Sequence, residues 1–243
     1  MSLLTLIDVG KRFANGTEAL SGLDFRITEG EFVSLLGPSG CGKSTALRLI
    51  AGLIAPDSGS IVWTGARPEM GFVFQEPTLM PWADALSNAR LPLDLKKMPH
   101  AKATARAARA LTRMGLKDFG HAYPRELSGG MKMRVSIARA LTAQPRLLLM
   151  DEPFAALDEP TRQSLNDDLL RLAHEDRITV IFVTHSVMEA SYLSDRVLVM
   201  SPRPGRIKAE VGLDLPPRGP GFRLTADFAQ AQARVAEALL EAP

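Results

Sequence analysis

The sequence predicts an α/β fold with a mostly parallel core sheet, a small antiparallel β-subdomain and an inserted helical subdomain. Short apolar runs rich in Val, Ile, Leu and Phe alternate with longer stretches of helical periodicity. Such runs are typical of strands buried on both faces, and their alternation with helices indicates a parallel sheet covered by helices. A long central segment without strand character interrupts this alternation and indicates the helical insertion.

The first third of the chain begins with half-buried strand patterns. Residues 3–9 and 22–28 look like half-buried strands, and residues 60–64 could join them in the antiparallel sheet. The continuously apolar strand candidates are residues 32–36, 147–150, 179–183 and 197–200. The helical patterns between them cover residues 44–51, 128–143, 160–175 and 186–193.

The middle and the end of the chain have a different character. No convincing strand occurs in residues 77–145, where the Ala- and Arg-rich residues 101–114 predict a helix. The Pro-rich residues 202–220 indicate turns and a linker, and residues 222–240 predict a closing helix. We therefore divide a single domain, 1–243, into a sheet-containing core (1–76 and 146–206), a helical subdomain (77–145) and a C-terminal linker and helix (207–243).

Composition and charge exclude several classes of protein. Hydrophobic residues make up 46% and charged residues 23% of the 243, which is ordinary for a globular chain. The formal net charge of +2 and the lack of a long basic run argue against a nucleic-acid partner. Cys41 is the one cysteine and suits a reducing compartment. Because we find neither a signal peptide nor an apolar run of about 20 residues, we expect any membrane role to be exercised from outside the lipid.

A phosphate-binding loop is the strongest motif. Residues 37–45 read GPSGCGKST and match G-x-x-x-x-G-K-[ST] between a predicted strand and a helix. Glycines let backbone N–H groups surround a phosphate, and the helix N-terminus adds a positive dipole end. The strand–loop–helix context favours this over a simple helix-capping turn. The predicted nucleotide-binding residues are Gly37, Pro38, Ser39, Gly40, Cys41, Gly42, Lys43, Ser44 and Thr45, with Lys43 on the β- and γ-phosphates and Ser44 also on Mg²⁺.

Two acidic residues end a predicted buried strand. Asp151 and Glu152 follow the apolar residues 147–150. The carboxyl end of a strand in an open α/β sheet is where such folds place functional groups. We expect Asp151 to orient Mg²⁺ and Glu152 to act as the general base on the attacking water. Alone, the pair could simply mark a solvated strand end, and the phosphate loop in the same chain is what favours catalysis.

A third motif is more specific. Residues 127–131 read LSGGM, which resembles the LSGGQ signature of the ABC ATPases, so the chain is identified as a P-loop NTPase of that family. The resemblance implies that Ser128, Gly129 and Gly130 bind ATP held by a second copy of the chain, in a head-to-tail dimer. A helix N-terminus suits this contact because its N–H groups attract phosphate.

Further residues follow in family order. The resemblance implies that Gln75 is the Q-loop glutamine on Mg²⁺, that Asp158 lies in the D-loop at the dimer interface, and that His185 senses the γ-phosphate. Phe13 occupies the place of an aromatic that stacks on adenine, although it could equally anchor the small sheet. The sequence departs from the family pattern where Met131 and Met133 replace glutamines and where Phe13 replaces the commoner tyrosine.

Residues 74–82 and 200–207 resemble the ATPases of the nitrate, sulfonate and taurine import group. This resemblance implies a bacterial importer of a small solute, with a permease and an extracytoplasmic substrate-binding protein. The subunit would lie peripherally on the cytoplasmic face of the inner membrane. Leu79, Pro81 and Trp82 would line the groove for a permease helix, unless they only pack within the helical subdomain. The alternatives are an exporter or lipid-transport ATPase, a DNA-repair or translation ATPase, and an inactive scaffold.

Overall fold

The computed structural model describes residues 1–219 and 221–241. In chain order the strands are β1 (Ser2–Arg12), β2 (Glu18–Thr28), β3 (Phe32–Leu36), β4 (Ser58–Trp63), β5 (Met70–Val73), β6 (Leu147–Asp151), β7 (Thr179–Thr184), β8 (Arg196–Met200) and β9 (Ile207–Gly212). The helices are α1 (Lys43–Ile50), α2 (Ala85–Leu95), α3 (His100–Arg113), α4 (Gly129–Thr142), α5 (Glu159–Asp176), α6 (Val187–Leu193) and α7 (Ala226–Leu240). Pro220 of the predicted linker, and Ala242 and Pro243, lie outside the described residues.

The chain divides into two compact units. The first combines Met1–Arg67 with Leu172–Pro243, and the second is Pro68–Arg171. Within the first unit, β1 lies between β2 and β4 and pairs with both in antiparallel fashion. Leu4 and Leu6 of β1 are buried, while Ile7 is 48% exposed, as expected for a sheet with one covered face. The predicted small antiparallel sheet is confirmed.

A second sheet of the first unit is mainly parallel. β3 pairs with β7 on one side and β8 on the other, both in parallel. Every residue of β3 and β7 is buried, which is why their sequences are mainly apolar rather than alternating. The register pairs Leu36 with Thr184, so both strands end at the same edge of the sheet.

Strand β9 corrects the predicted linker. Residues 207–212 pair in antiparallel fashion with β8 instead of forming turns. The strand is half exposed and only Val211 is buried, because it has a neighbour on one side and weak apolar patterning. Prolines flank these six residues but do not interrupt them, so every backbone N–H remains available for pairing.

The closing helix begins four residues later than predicted. A single 3₁₀ turn occupies Phe222–Leu224, and the Thr225 side chain then caps α7 by accepting a hydrogen bond from the N–H of Phe228 at 3.3 Å. Ala231 and Val235 of α7 are buried in a cluster with residues of β8 and β9. None of the helices within the described parts of the chain is long and apolar enough to cross a bilayer.

The second unit contains the helical segment and two strands. β5 and β6 pair in parallel, with Val73 opposite Met150. Gly71 of β5 is needed for this packing, because a Cβ there would lie 3.0 Å from Leu148 Cδ1 and 3.1 Å from the Ala140 carbonyl oxygen. Helices α2, α3 and α4 pack on one another around small buried residues such as Ala103.

Candidate functional site

The loop between β3 and α1 has a backbone that only glycine readily adopts. Gly40 and Gly42 have φ angles of 77° and 109°. A Cβ on Gly42 would also lie 2.7 Å from Leu20 Cδ2 and 2.8 Å from the Ala19 carbonyl oxygen. Packing against β2 therefore restricts this loop in addition to the backbone conformation of its glycines.

Lys43 places a buried cation inside the same loop. The residue is 3% exposed, and its Nζ donates to the carbonyl oxygens of Gly37 at 2.8 Å and Pro38 at 2.9 Å. Half-buried Ser44 and Thr45 follow it in the first turn of α1. A buried ammonium, left-handed glycines and a helix N-terminus together fit a polyphosphate, because each contributes positive charge or N–H donors.

His185 follows the strand that pairs with β3. Because Leu36 is opposite Thr184, the phosphate loop and His185 begin at neighbouring strand ends. His185 is exposed, whereas the residues around it are tied down. The Thr184 hydroxyl donates to buried Glu189 and accepts from the N–H of Ser186 at 3.0 Å. Hydrogen bonds of the neighbouring Thr184 side chain thus hold the backbone from which the exposed imidazole extends.

Phe13 lies in the turn between β1 and β2. Its N–H donates to the Thr17 carbonyl oxygen at 2.9 Å, and its own carbonyl oxygen accepts from the N–H of Gly16 at 2.9 Å. The residue is 38% exposed, so part of it is accessible. β2, which this turn precedes, contacts Gly42 of the phosphate loop through Ala19 and Leu20.

In the second unit, candidate functional side chains also follow two neighbouring parallel strands. Gln75 follows β5, and Glu152 follows β6, whose last residue is Asp151. Since Val73 is opposite Met150, the glutamine and the carboxylates emerge at the same sheet edge. Asp151 is 8% exposed. Glu152 has a φ angle of 45°, a left-handed conformation that costs a non-glycine residue about 1–3 kcal/mol and is commonest at functional sites.

The signature segment forms the start of α4. The Ser128 side chain is the N-cap and accepts from the N–H of Met131 at 3.2 Å. Ser128 and Gly129 are exposed, while Gly130 is buried. A Cβ on Gly130 would lie 2.5 Å from Thr161 Cγ2, so this glycine lets the helix start approach the first turn of α5.

Asp158 lies just before α5 and caps it. Its carboxylate accepts from the backbone N–H of Thr161 at 3.3 Å. The side-chain and backbone hydrogen bonds from Thr161 hold the pKa of Asp158 below its ordinary value. Asp158 thus has a hydrogen-bond partner within its own chain.

Sequence reasoning missed two supporting residues. Arg139, on α4, donates to the carbonyl oxygens of Pro77 and Thr78, each at 2.9 Å, and so holds the segment that follows Gln75. Burial lowers the pKa of Arg139, but a guanidinium remains charged at neutral pH. Glu189 supports the base of His185. In the sequence, Glu189 stands out only as a charged residue in an otherwise apolar helix pattern, and this does not identify Thr184 as its partner.

Comparison with known proteins gives a consistent result. A family model described as ABC transporter matches residues 20–155. An aliphatic sulfonates import ATP-binding protein of Xanthomonas axonopodis pv. citri is 46% identical, over 88% of this chain and 86% of its own. A protein of the same description from Pseudomonas syringae pv. syringae is 48% identical, over 88% of each chain. An uncharacterized ABC transporter ATP-binding protein of Methanocaldococcus jannaschii is 48% identical, over 83% and 77%.

Solved structures support the same assignment. A dimeric ATP-binding cassette in a post-hydrolysis state, bound to ADP and Pi, aligns with a TM-score of 0.77 at 35% identity, over 89% of this chain and all of its own. The cbiO1 protein of Clostridium perfringens, part of an ABC transporter complex, aligns with a TM-score of 0.79 at 29% identity, over 87% and 88%. The chain therefore belongs to the ABC transporter family and is an ATP-binding subunit that hydrolyses ATP.

Proposed function

We propose that this chain energises a bacterial importer of a small solute, such as a sulfonate, taurine or nitrate. The observation that carries the proposal is the 46–48% identity to aliphatic sulfonates import ATP-binding proteins over 88% of the chain. The subunit would lie peripherally on the cytoplasmic face of the inner membrane. Its partners would be a second copy, a permease and, indirectly, an extracytoplasmic substrate-binding protein, with no nucleic acid. All of residues 1–243 would serve as one ATPase domain with residues 77–145 as its helical subdomain.

Nucleotide binding would use the groups of the first unit. The partly exposed Phe13 would stack on adenine, and the loop from Gly37 to Thr45 would hold the phosphates. Lys43 is buried and charged, and it would exchange its two carbonyl partners for phosphate oxygens. Backbone N–H groups at the start of α1 would complete the cradle.

Hydrolysis would depend on the strand-end groups. Glu152 would accept a proton from the attacking water, and His185 would orient that water and sense the γ-phosphate. The hydroxyl of Ser44, the amide of Gln75 and the carboxylate of Asp151 are the hard oxygen ligands that suit Mg²⁺. Bound Mg²⁺ would neutralise charge on the β- and γ-phosphates.

A second copy would complete each site. Ser128 and Gly129 are exposed at the start of α4, where N–H groups can reach a γ-phosphate presented by another chain. Gly130 has no side chain and packs against Thr161, so it would contribute only backbone groups. Asp158 would line the same interface. ATP would thus join two copies head to tail, and hydrolysis would release them.

The segment after Gln75 is suited to contact a permease. Trp82 is 77% exposed, although large aromatic side chains are usually covered. Asn88, which is fully buried, holds the segment in shape: its amide accepts from the N–H of Met80 at 2.8 Å and donates to the Ala83 carbonyl oxygen at 2.9 Å. A rigid loop that displays a tryptophan together with Leu79 and Pro81 would form the groove for a permease helix.

Co-purification from solubilised membranes of the native host tests this arrangement. Tagged wild-type protein should retain a multi-span permease identified by mass spectrometry. Trp82→Ala should lose most of it, while Leu95→Ala should not, although Leu95 is also in the second unit and 75% exposed. ATP binding should be the same in all three proteins. Recovery of nucleic-acid factors without a permease would instead support the DNA-repair or translation class.

Growth assays test the direction and the cargo. A strain that lacks the gene should fail to grow on alkanesulfonate or taurine as sole sulfur source, or on nitrate as sole nitrogen source. Sulfate and ammonium serve as controls. Wild-type protein should restore growth and Glu152→Gln should not. Normal growth on all of these, with a permease still co-purifying, would favour an exporter or lipid-transport ATPase and leave the ATPase assignment intact.

A further inference from the structure

The turn between β8 and β9 lies against the phosphate loop of the same unit. We call residues 201–206 the β8–β9 turn. Arg203, on its exposed side, donates to the carbonyl oxygen of Gly40 through Nε at 3.1 Å and through Nη2 at 2.9 Å. Both donors therefore meet one acceptor, at the exposed crest of the loop. The mechanism described above assigns no role to this contact.

The approach of the turn to the loop is close. A Cβ on Gly205 would lie 2.1 Å from the Cys41 carbonyl oxygen, so no larger residue fits there without displacing the backbone. A Cβ on Gly37 would likewise lie 3.0 Å from the carbonyl oxygen of Met200, at the end of β8. The β8–β9 turn and the end of β8 therefore pack closely against the phosphate loop at Cys41 and at Gly37.

The turn is itself firmly held. The Ser201 hydroxyl donates to the carbonyl oxygens of Pro202 at 2.9 Å and Pro204 at 3.2 Å, and accepts from the N–H of Arg206 at 3.1 Å. The N–H of Gly205 donates to the Ala19 carbonyl oxygen at 2.9 Å, which fastens the turn to β2. Arg203 thus extends from a rigid base.

We infer that Arg203 is a positioning residue that holds the phosphate loop in its nucleotide-binding conformation. A guanidinium that donates twice to the Gly40 carbonyl fixes the orientation of that peptide unit, which precedes Cys41 and Gly42. Hydrogen bonds from charged donors are stronger than neutral ones, so a single contact can outweigh the flexibility of a glycine-rich crest. The inference rests on the assignment of residues 37–45 as the phosphate loop.

Arg206 provides a matched control. It is another exposed arginine of the same turn, but its guanidinium donates to the Ser21 hydroxyl at 3.2 Å rather than to the phosphate loop. Removing either side chain deletes one exposed charge from the same turn. Only Arg203→Ala removes a contact to Gly40.

The first measurement is ATP affinity by titration with a fluorescent ATP analogue, together with kcat and KM for ATP. Arg203→Ala should weaken affinity and raise KM about tenfold, with kcat at saturating ATP within about twofold of wild type. Arg203→Lys keeps the charge and one donor, so it should recover part of the affinity. Arg206→Ala should match wild type. Equal losses in Arg203→Ala and Arg206→Ala would overturn the inference.

The second measurement reports loop opening directly. Cys41 is the chain's one cysteine and is 1% exposed, so its alkylation by iodoacetamide requires the loop to open. Without nucleotide, Arg203→Ala should be alkylated several-fold faster than wild type and Arg206→Ala should not. Unchanged affinity and alkylation in Arg203→Ala would overturn the inference. Failure of wild-type protein to bind ATP would instead overturn the phosphate-loop assignment itself. If Arg203→Ala does not fold, Arg203→Lys carries both tests.

Discussion

Two pairs of parallel strands, β3 with β7 and β5 with β6, place functional groups at their ends by different means. After β3, the phosphate loop is defined by backbone: Gly42 packs against β2 with no space for a Cβ, and the Lys43 ammonium binds loop carbonyls. After β5 and β6, Gln75 is exposed and Glu152 is half-exposed, and the segment that follows Gln75 is held by hydrogen bonds from Arg139 to the carbonyl oxygens of Pro77 and Thr78. A site fixed by packing loses stability and binding together when it is altered, whereas one fixed by side chains can lose turnover alone.

The sharpest way to break this comparison is Glu152→Gln. The amide keeps the size of the side chain but cannot accept the proton, so ATP turnover should fall about 10²–10⁴-fold. ATP affinity should change less than about threefold. Phosphate release measures turnover and titration with a fluorescent ATP analogue measures affinity. Light scattering in the presence of ATP should show that the variant accumulates dimers.

Glu159→Gln makes the same exchange at another exposed glutamate of the second unit and should turn over normally. A Glu152→Gln protein that stays monomeric in saturating ATP would contradict the proposed dimer.

The next largest effect should come from Gly42→Ala. A left-handed φ and the contact at 2.8 Å with the Ala19 carbonyl oxygen should together lower the free energy of unfolding by roughly 2–4 kcal/mol. ATP binding should weaken as well, because the loop must shift. Urea denaturation and nucleotide titration give the two values.

Gly65→Ala separates strain from crowding. Gly65 has a φ angle of 82° but nothing within 4 Å of an added Cβ, so only the conformational cost of about 1–2 kcal/mol should remain. Equal costs at Gly42 and Gly65 would show that packing does not define the phosphate loop.

Arg139→Ala tests the second region of the comparison, the segment that follows β5 and Gln75. Loss of the contacts to Pro77 and Thr78 should loosen the segment after Gln75 and lower kcat about tenfold, with ATP affinity nearly unchanged. Steady-state ATPase kinetics decide this. Arg106→Ala removes an arginine that binds Gln144 in the same unit and should leave kcat intact. A fall in affinity without a fall in kcat would contradict the comparison.

The smallest effect concerns Asp158. Thr161→Val keeps the methyl group that packs on Gly130 but removes the hydroxyl, so the lowered pKa of Asp158 should rise towards its ordinary value. A carboxylate with a lowered folded-state pKa stabilises the fold at neutral pH. That contribution disappears as pH falls below about 4. Carbon-detected NMR titration measures the shift, and Thr112→Val, whose hydroxyl binds only a helix carbonyl, is the control.

Much of the fold could be predicted from sequence because its strands are apolar and its loops carry motifs. Apolar runs predict the buried strands β3, β6, β7 and β8, and glycines predict the phosphate loop. The sequence does not predict β5, because this strand has only four residues and one of them is Gly71. The reason for a glycine there is its close packing against Leu148 and Ala140, which is visible only in the structure. The sequence predicts a linker where the structure has β9. An edge strand that pairs with β8 needs little apolar patterning, so the pattern does not reveal it.

The candidate site shows the same division. Residues that would bind phosphate or act on water, such as Lys43 and Glu152, belong to local motifs that the sequence displays directly. Arg139 and Arg203 act on segments far away in sequence, at Pro77 and Gly40. Their partners are set by tertiary packing, so the sequence offers only arginines with no marked partner. The roles assigned to the motif residues stay predictions that the variants above test.

The contact between Gly130 and Thr161 bears on how such sequences diverge. The fourth letter of the signature is restricted by a residue in a different helix, since a Cβ at 130 would lie 2.5 Å from Thr161 Cγ2. A larger residue at 130 would require the Thr161 side chain to move or to be replaced by a smaller one. We therefore expect the two positions to change together across related genes, although they lie in different helices.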